Sequence, residues 1–240
     1  AAGNVSGSTT ASVIIDTTPP AVQLTNTVNN NGTTAVAITN NGSTNDSTPA
    51  LSGTAEAGSL VVVRDGQTVV GSVVAAANGT WSITTSSLGE GSHTLSVTAT
   101  DAAGNVGTAT NTITFTVSTA AATAPTLVVN NDANSALTPV ANNGVTNDST
   151  PTLTGTATAG NVITIYDGTT VLGTTTAGTG NTWSFTSPTL SNGSHALSVT
   201  ATNAAGTVST EVSSTVVIDT IAPVNSTLVI ANDNGTTPVT

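Results

Sequence analysis

The sequence predicts an all-β protein built from tandem sandwich domains in a linear rod, and three observations carry that expectation. The hexapeptide TNDSTP at Thr44–Pro49 returns at Thr146–Pro151, an offset of 102 residues. Apolar residues alternate with polar ones along several segments, the period-2 signature of half-buried strands. Thr, Asn, Ser, Gly and Val dominate the composition, a mixture that suits strands joined by turns.

The repeat extends well beyond the hexapeptide. Trp81 maps to Trp183, Gly91–His93 to Gly193–His195, Leu95–Thr100 to Leu197–Thr202, and the turns Arg64–Gly66 to Tyr166–Gly168. The chain therefore reads as residues 1–16, the tail of a preceding repeat; repeat 1 at 17–118; repeat 2 at 119–219; and residues 220–240, the start of a following one. In repeat 1, Leu95, Val97 and Ala99 alternate with Ser96, Thr98 and Thr100, and Ile113, Phe115 and Val117 alternate with threonines. Strands are expected near 21–25, 50–55, 60–64, 67–75, 80–86, 94–100 and 108–117. Seven short strands in about 100 residues is the count of an immunoglobulin-like β-sandwich. Trp81 and Trp183 are expected in its core.

Composition narrows the function. With one cation, Arg64, against twelve acids, the formal charge is −11. A basic nucleic-acid surface is excluded on that count, as is attraction to anionic lipid. No apolar run is long enough to span a membrane. Cysteine is absent, so disulfide and thiolate chemistry are too. No nucleophile elbow, HExxH or phosphate-binding loop occurs. The two histidines, His93 and His195, sit at equivalent positions and read as structural. The chain is expected not to be an enzyme.

The twelve acids need partners, and a bound divalent cation is the natural candidate where basic side chains are scarce. If the strands alternate in direction, the pole where the chain enters repeat 1 collects Asp16, Glu56 and Asp101, and the opposite pole collects Asp46, Asp65 and Glu90. In repeat 2 the corresponding acids are Asp148, Asp167 and Asp219. All nine are candidate Ca²⁺ ligands. A local reading coexists with this one: Asp46 caps its own turn, and Asp65 and Asp167 before glycine are hairpin residues. Asp132 and Asp233 share a position in the first long loop, where either a ligand or a solvated turn fits. The linkers differ: Asp16 and Asp219 align with Ser118, and Asp101 aligns with Asn203. A weaker or absent metal site and a more flexible joint are therefore expected between repeats 1 and 2.

The segments TPALSGTAEAG (48–58), VTATDAAGNVG (97–107) and the linkers IDTTPP and IDTIAP resemble the bacterial Ig-like repeats of giant type I-secreted, biofilm-associated surface adhesins. The resemblance covers nearly the whole chain, although the glycine-rich nonapeptide repeats of RTX adhesins are absent. It implies a secreted, extracellular fibre at the bacterial cell surface, in which tandem repeats act as an extender that projects a distal binding region in cell adhesion and biofilm formation. It also implies calcium binding at the junctions. The expected partners are neighbouring repeats and, in a second reading, like chains of a filament or matrix. A direct sugar-binding module is disfavoured because only Tyr166 among the aromatics is unaccounted for by a core.

Overall fold

A computed structural model describes residues 9–224 except Thr33, Thr110 and Ser135, together with Gly3 and Gly7. The expected candidate Asp233 lies outside the described residues. The chain divides into two compact units, Ala1–Ala122 with Thr202–Val208 and Thr123–Ala201 with Ser209–Thr240. No described helix is long and apolar enough to cross a membrane.

In repeat 1 the chain forms β1 (Val22–Asn29), β2 (Val36–Ala37), β3 (Gly42–Thr44), β4 (Ala50–Ala55), β5 (Leu60–Asp65), β6 (Thr68–Val74), β7 (Thr80–Thr84), β8 (Gly91–Thr100), β9 (Val106–Thr108) and β10 (Ile113–Val117). One sheet has the order β2-β1-β4-β7; the other has β3-β10-β8-β5-β6, with β9 also on β8. Repeat 2 follows the same plan with β11 (Val128–Asn131), β12 (Thr138–Val140), β13 (Gly144–Thr146), β14 (Thr152–Thr156), β15 (Val162–Asp167), β16 (Thr170–Thr176), β17 (Thr182–Thr186), β18 (Gly193–Thr202) and β19 (Val212–Ile218). Its sheets run β12-β11-β14-β17 and β13-β19-β18-β15-β16.

The alternation resolves as expected. Leu95, Val97 and Ala99 of β8 are buried, and the residues between them are half-buried. They meet Leu51, Val61, Val63 and Phe115, all at 0–1% exposure. Repeat 2 replaces this set with Leu153, Ile163, Ile165, Leu197 and Val199, all at 0%. Each such side chain contributes about 1.5–3 kcal/mol through burial, which is how a chain with so few aromatics sustains two cores. Trp81 and Trp183 are buried at 4%. Trp81 pairs with Gly53 across β7 and β4. A Cβ on Gly53 would lie 1.9 Å from the Gln23 carbonyl oxygen and 2.7 Å from the Trp81 ring. The tryptophan therefore occupies space that only glycine leaves free.

Three strands were not expected. β2, β3 and β9 are two or three residues long, too short to show a period. β3 pairs parallel with β10, Gly42 opposite Phe115 and Thr44 opposite Val117. The expected strand at 108–117 is shorter, forming as β10 from Ile113 to Val117, and its first residue, Thr108, ends β9. β9 and β10 both lie along β8, with Thr108 opposite Thr98 and Ile113 opposite Leu95, so five steps of chain match three. Within that surplus, Ala109 stays buried with its N–H on the Val97 carbonyl, and the Asn111 side-chain amide donates to the Leu24 carbonyl in the first sheet.

Candidate functional site: carboxylates and histidines at the sandwich poles

The topology brings the expected elements to common poles, but not their carboxylates to common points. Where the chain enters repeat 1, the Glu56 N–H donates to the Ala21 carbonyl. The Asn105 amide donates to the Asp16 carbonyl at 3.0 Å. The acids themselves turn to local donors. Asp16 Oδ1 accepts the Thr18 N–H, and the Glu56 side chain is exposed. Asp101 accepts both the backbone N–H and the side-chain amide of Asn105. That side-chain bond, helped by backbone N–H groups of the same turn and opposed by burial, holds Asp101 below the usual carboxylate range.

The opposite pole is divided in the same way. Asp46 is completely buried. Its Oδ1 accepts the Thr48 N–H at 2.8 Å and the Thr48 hydroxyl, and its Oδ2 accepts the Asn30 N–H at 2.9 Å. The repeated hexapeptide is thus an Asx turn whose free oxygen reaches across to pin the loop after β1. Asp148 does the same with Thr150 and Asp132. Burial opposes ionisation of Asp148, but the bonds from Asp132 and Thr150 outweigh it and hold its pKa below the ordinary value. Asp132, the other loop candidate, accepts the Thr152 hydroxyl. Glu90 accepts the N–H and the hydroxyl of Thr119, which lower its pKa. This pins the outgoing linker. Asp219 Oδ1 accepts the Ile221 N–H.

Among the described residues, no three Asp, Glu or His side chains are grouped as a metal site. The expected sets Asp16/Glu56/Asp101 and Asp46/Asp65/Glu90 therefore do not form within repeat 1. The reason is geometric: each carboxylate follows its own turn and is aimed at N–H and O–H donors, whereas Ca²⁺ needs six to eight oxygens converging on one point. Among the described residues of either repeat, the candidate carboxylates do not gather in threes.

Comparison of the two repeats strengthens this assignment. Where repeat 1 has Asp101, repeat 2 has Asn203, and its Oδ1 still accepts the N–H four residues on, from Thr207. Where repeat 1 has Glu90, repeat 2 has Asn192, and its Oδ1 still accepts the N–H and hydroxyl of Thr220. A neutral amide oxygen keeps the backbone N–H bond at both places and the hydroxyl bond at Asn192, while the side-chain bond that Asn105 gives Asp101 has no counterpart at Asn203. Asp101→Asn keeps the Asn105 N–H bond and loses its side-chain bond, so the melting temperature of repeat 1 should fall by no more than about 4–8 °C, the equivalent of roughly 1 kcal/mol for one hydrogen bond. A fall well beyond that range in differential scanning calorimetry would show that the charge itself is needed.

The histidines have an environment that sequence reasoning left undescribed. His93 Nδ1 lies 2.7 Å from Asp65 Oδ2, and Nε2 lies 2.9 Å from the Gly89 carbonyl oxygen. His195 repeats this with Asp167 at 2.7 Å and the Ser191 carbonyl at 2.9 Å. Asp65 also accepts the Thr94 N–H. The RDG and YDG turns therefore use their aspartates to hold a histidine. The signal available in the sequence was their co-repetition with GSH at the same offset.

The model of the bacterial Ig-like domain matches residues 20–119 and again 120–220. The chain belongs to the bacterial Ig-like domain family. Its two Ig-like repeats also align with solved structures. The fibronectin(III)-like modules of CbhA from Clostridium thermocellum share 17% identity at a TM-score of 0.47, over 82% of this chain and 94% of theirs. A 1.5-MDa bacterial ice-binding adhesin shares 26% identity at 0.39, over 84% of this chain and 65% of that one. The BSP domain of a biofilm associated protein shares 23% at 0.29, over 75% and 29%. The Ig-like repeats thus span less than two thirds of the last two structures. No curated protein matches the chain.

Proposed function

We propose that the two Ig-like repeats are an extender segment of a bacterial cell-surface adhesin, outside the cell, carrying a distal binding region away from the surface. The observation that supports this reading most directly is how the polar chemistry is used. The buried acids, Glu90 and both histidines are engaged in holding turns and linkers of their own repeat, with Asp46 and His93 repeated as Asp148 and His195 and with asparagines taking the places of Asp101 and Glu90. Such residues do not converge on a substrate, and the reading is of a spacer without catalytic activity. The Glu90 carboxylate and, in the second copy, the Asn192 amide oxygen hold the chain where it leaves each sandwich.

A spacer should stay monomeric. Sedimentation equilibrium of residues 1–240 at high protein concentration is expected to give the monomer mass. Reversible association would instead support a second reading, a self-associating subunit of an extracellular filament or matrix. One feature favours that alternative: β6 and β16 end their sheets with no charged residue or proline, and Val69, Val74 and Val171 on them are about half exposed.

The adhesin resemblance implies calcium as a stiffener. The donor geometry within each repeat favours turn caps instead, so the reading here is of repeats whose stability is independent of metal. Thermal melting with 5 mM-scale calcium and with EGTA should agree within about 2 °C, since a ligand that binds the native state well below its free concentration would add several kcal/mol. A clear rise with calcium would return the ion to the proposal as a junction staple.

A further inference from the structure

We infer that each repeat contains an imidazolium latch, in which a doubly protonated histidine ties the β5–β6 (or β15–β16) turn to the loop before β8 (or β18), and that this latch opens as the solution becomes alkaline. The geometry carries the inference. Both ring nitrogens of His93 face oxygens that can only accept, the Asp65 carboxylate at 2.7 Å and the Gly89 carbonyl at 2.9 Å. A neutral imidazole has one N–H, so it must leave one of these oxygens facing a nitrogen lone pair. Only the cation satisfies both. The arrangement recurs in repeat 2 with the same two distances, at Asp167 and Ser191.

The surroundings contain no competing charge. From β10, Phe115 packs beside the His93 ring at 6.2 Å between centroids. From the loop, Gly89 offers its carbonyl, while the carboxylate of the next residue, Glu90, is occupied by Thr119. From β5, Asp65 supplies the single facing charge, and Arg64 beside it donates to the Gln67 carbonyl. In repeat 2, the residue across from His195 on β19 is Val216, and Asn192 replaces the glutamate. The histidine side chains are only 12% and 10% exposed.

The electrostatics run the same way. Burial alone would disfavour the cation, but the hydrogen bonds and charge of the aspartate, with the carbonyl bond, raise the pKa of both histidines above 6.5. Because the folded-state value lies above the unfolded one, the stabilisation is complete below about pH 6.5 and is lost as pH rises through the folded value. The latch therefore gives an acidic chain a conformational response to alkaline pH.

The chain has two histidines, one per repeat, so two-dimensional ¹H–¹⁵N spectra of the imidazoles can be followed through a pH titration of the intact 240-residue chain. Both are expected to show the doubly protonated pattern at neutral pH and to titrate with midpoints above 6.5. Asp65→Asn should lower the His93 midpoint and leave that of His195 in place, which makes repeat 2 an internal control. If Asp65→Asn impairs folding of repeat 1, the wild-type titration and the Asp167→Asn variant decide the question alone. Midpoints at or below 6.5, or a single neutral tautomer at neutral pH, would overturn the latch, as would an aspartate variant that leaves its histidine unmoved.

Discussion

Gly53→Ala should lower the stability of repeat 1 by about 3 kcal/mol or more, the upper range for overpacking a core. That corresponds to a fall of roughly 12–20 °C in its melting temperature, while repeat 2 melts near its original value. The new methyl group meets the Gln23 carbonyl oxygen at 1.9 Å and the Trp81 ring at 2.7 Å. The Trp81 ring is a side chain and can turn aside, but the carbonyl belongs to β1, and β1 is hydrogen-bonded to β4. Relief requires the strands to part or the tryptophan to leave the core. Gly155 is placed identically against Thr126 and Trp183, so Gly155→Ala should produce the mirror result in repeat 2. Calorimetry with two resolved transitions reads both; a Gly53→Ala protein that melts like wild type would show that the close approach is not maintained in solution.

Asp46→Ala should cost repeat 1 about 3 kcal/mol. The substitution removes a fully buried carboxylate and leaves the N–H groups of half-buried Thr48 and exposed Asn30 without their acceptor, water recovering part of the loss at Asn30. A hydrogen bond to a charged group is worth about 1.5–3 kcal/mol, and orphaned buried donors carry their full desolvation cost. Asp46→Asn should recover part of the loss, because its Oδ1 can still cap the turn. Urea unfolding monitored by Trp81 fluorescence measures the difference. Equal midpoints for wild type and Asp46→Ala would contradict this account of the hexapeptide. For Asp148 the depressed pKa adds a pH signature: its contribution is present above the unfolded carboxylate value and is lost as pH falls through the folded one.

The hydrophobic face of the fold was legible because it is periodic. Leu95, Val97, Ala99 and their partners sit on one face of β8 as the alternation requires, and the 102-residue offset placed Trp183 from Trp81. The short strands were illegible for the opposite reason. Gly42–Thr44 and Val106–Thr108 are held by what they pair with, not by their own pattern. The acids illustrate a different limit. Topology correctly brought the Asp16 linker beside the corners carrying Glu56 and Asp101, but a shared pole fixes the backbone to within several ångströms and says nothing of where a carboxylate points. The local Asx preference of Asp46 decided that, together with the Asn30 N–H that only the folded loop supplies. The histidine pairs required contact between residues 28 apart in sequence.

The parallel pairing of β3 with β10 has a mechanical consequence. Gly42–Thr44 and Phe115–Val117 run side by side in the same direction, and the Ser118 N–H extends the ladder to the Thr44 carbonyl. Upstream of Gly42 the chain runs back through the paired strands β2 and β1 towards the N-terminus, and beyond Val117 it leaves towards the C-terminus, so a pull reaches this ladder once β1 has left β4. Tension applied through the termini therefore pulls the two strands lengthwise past one another, and the ladder bonds share the load and must fail together. An antiparallel hairpin pulled at its open end would instead release its bonds one at a time. β13 and β19 repeat the geometry at Gly144–Thr146 and Val216–Ile218. Each sandwich thus holds one pair of parallel strands whose ladder a lengthwise pull loads in shear.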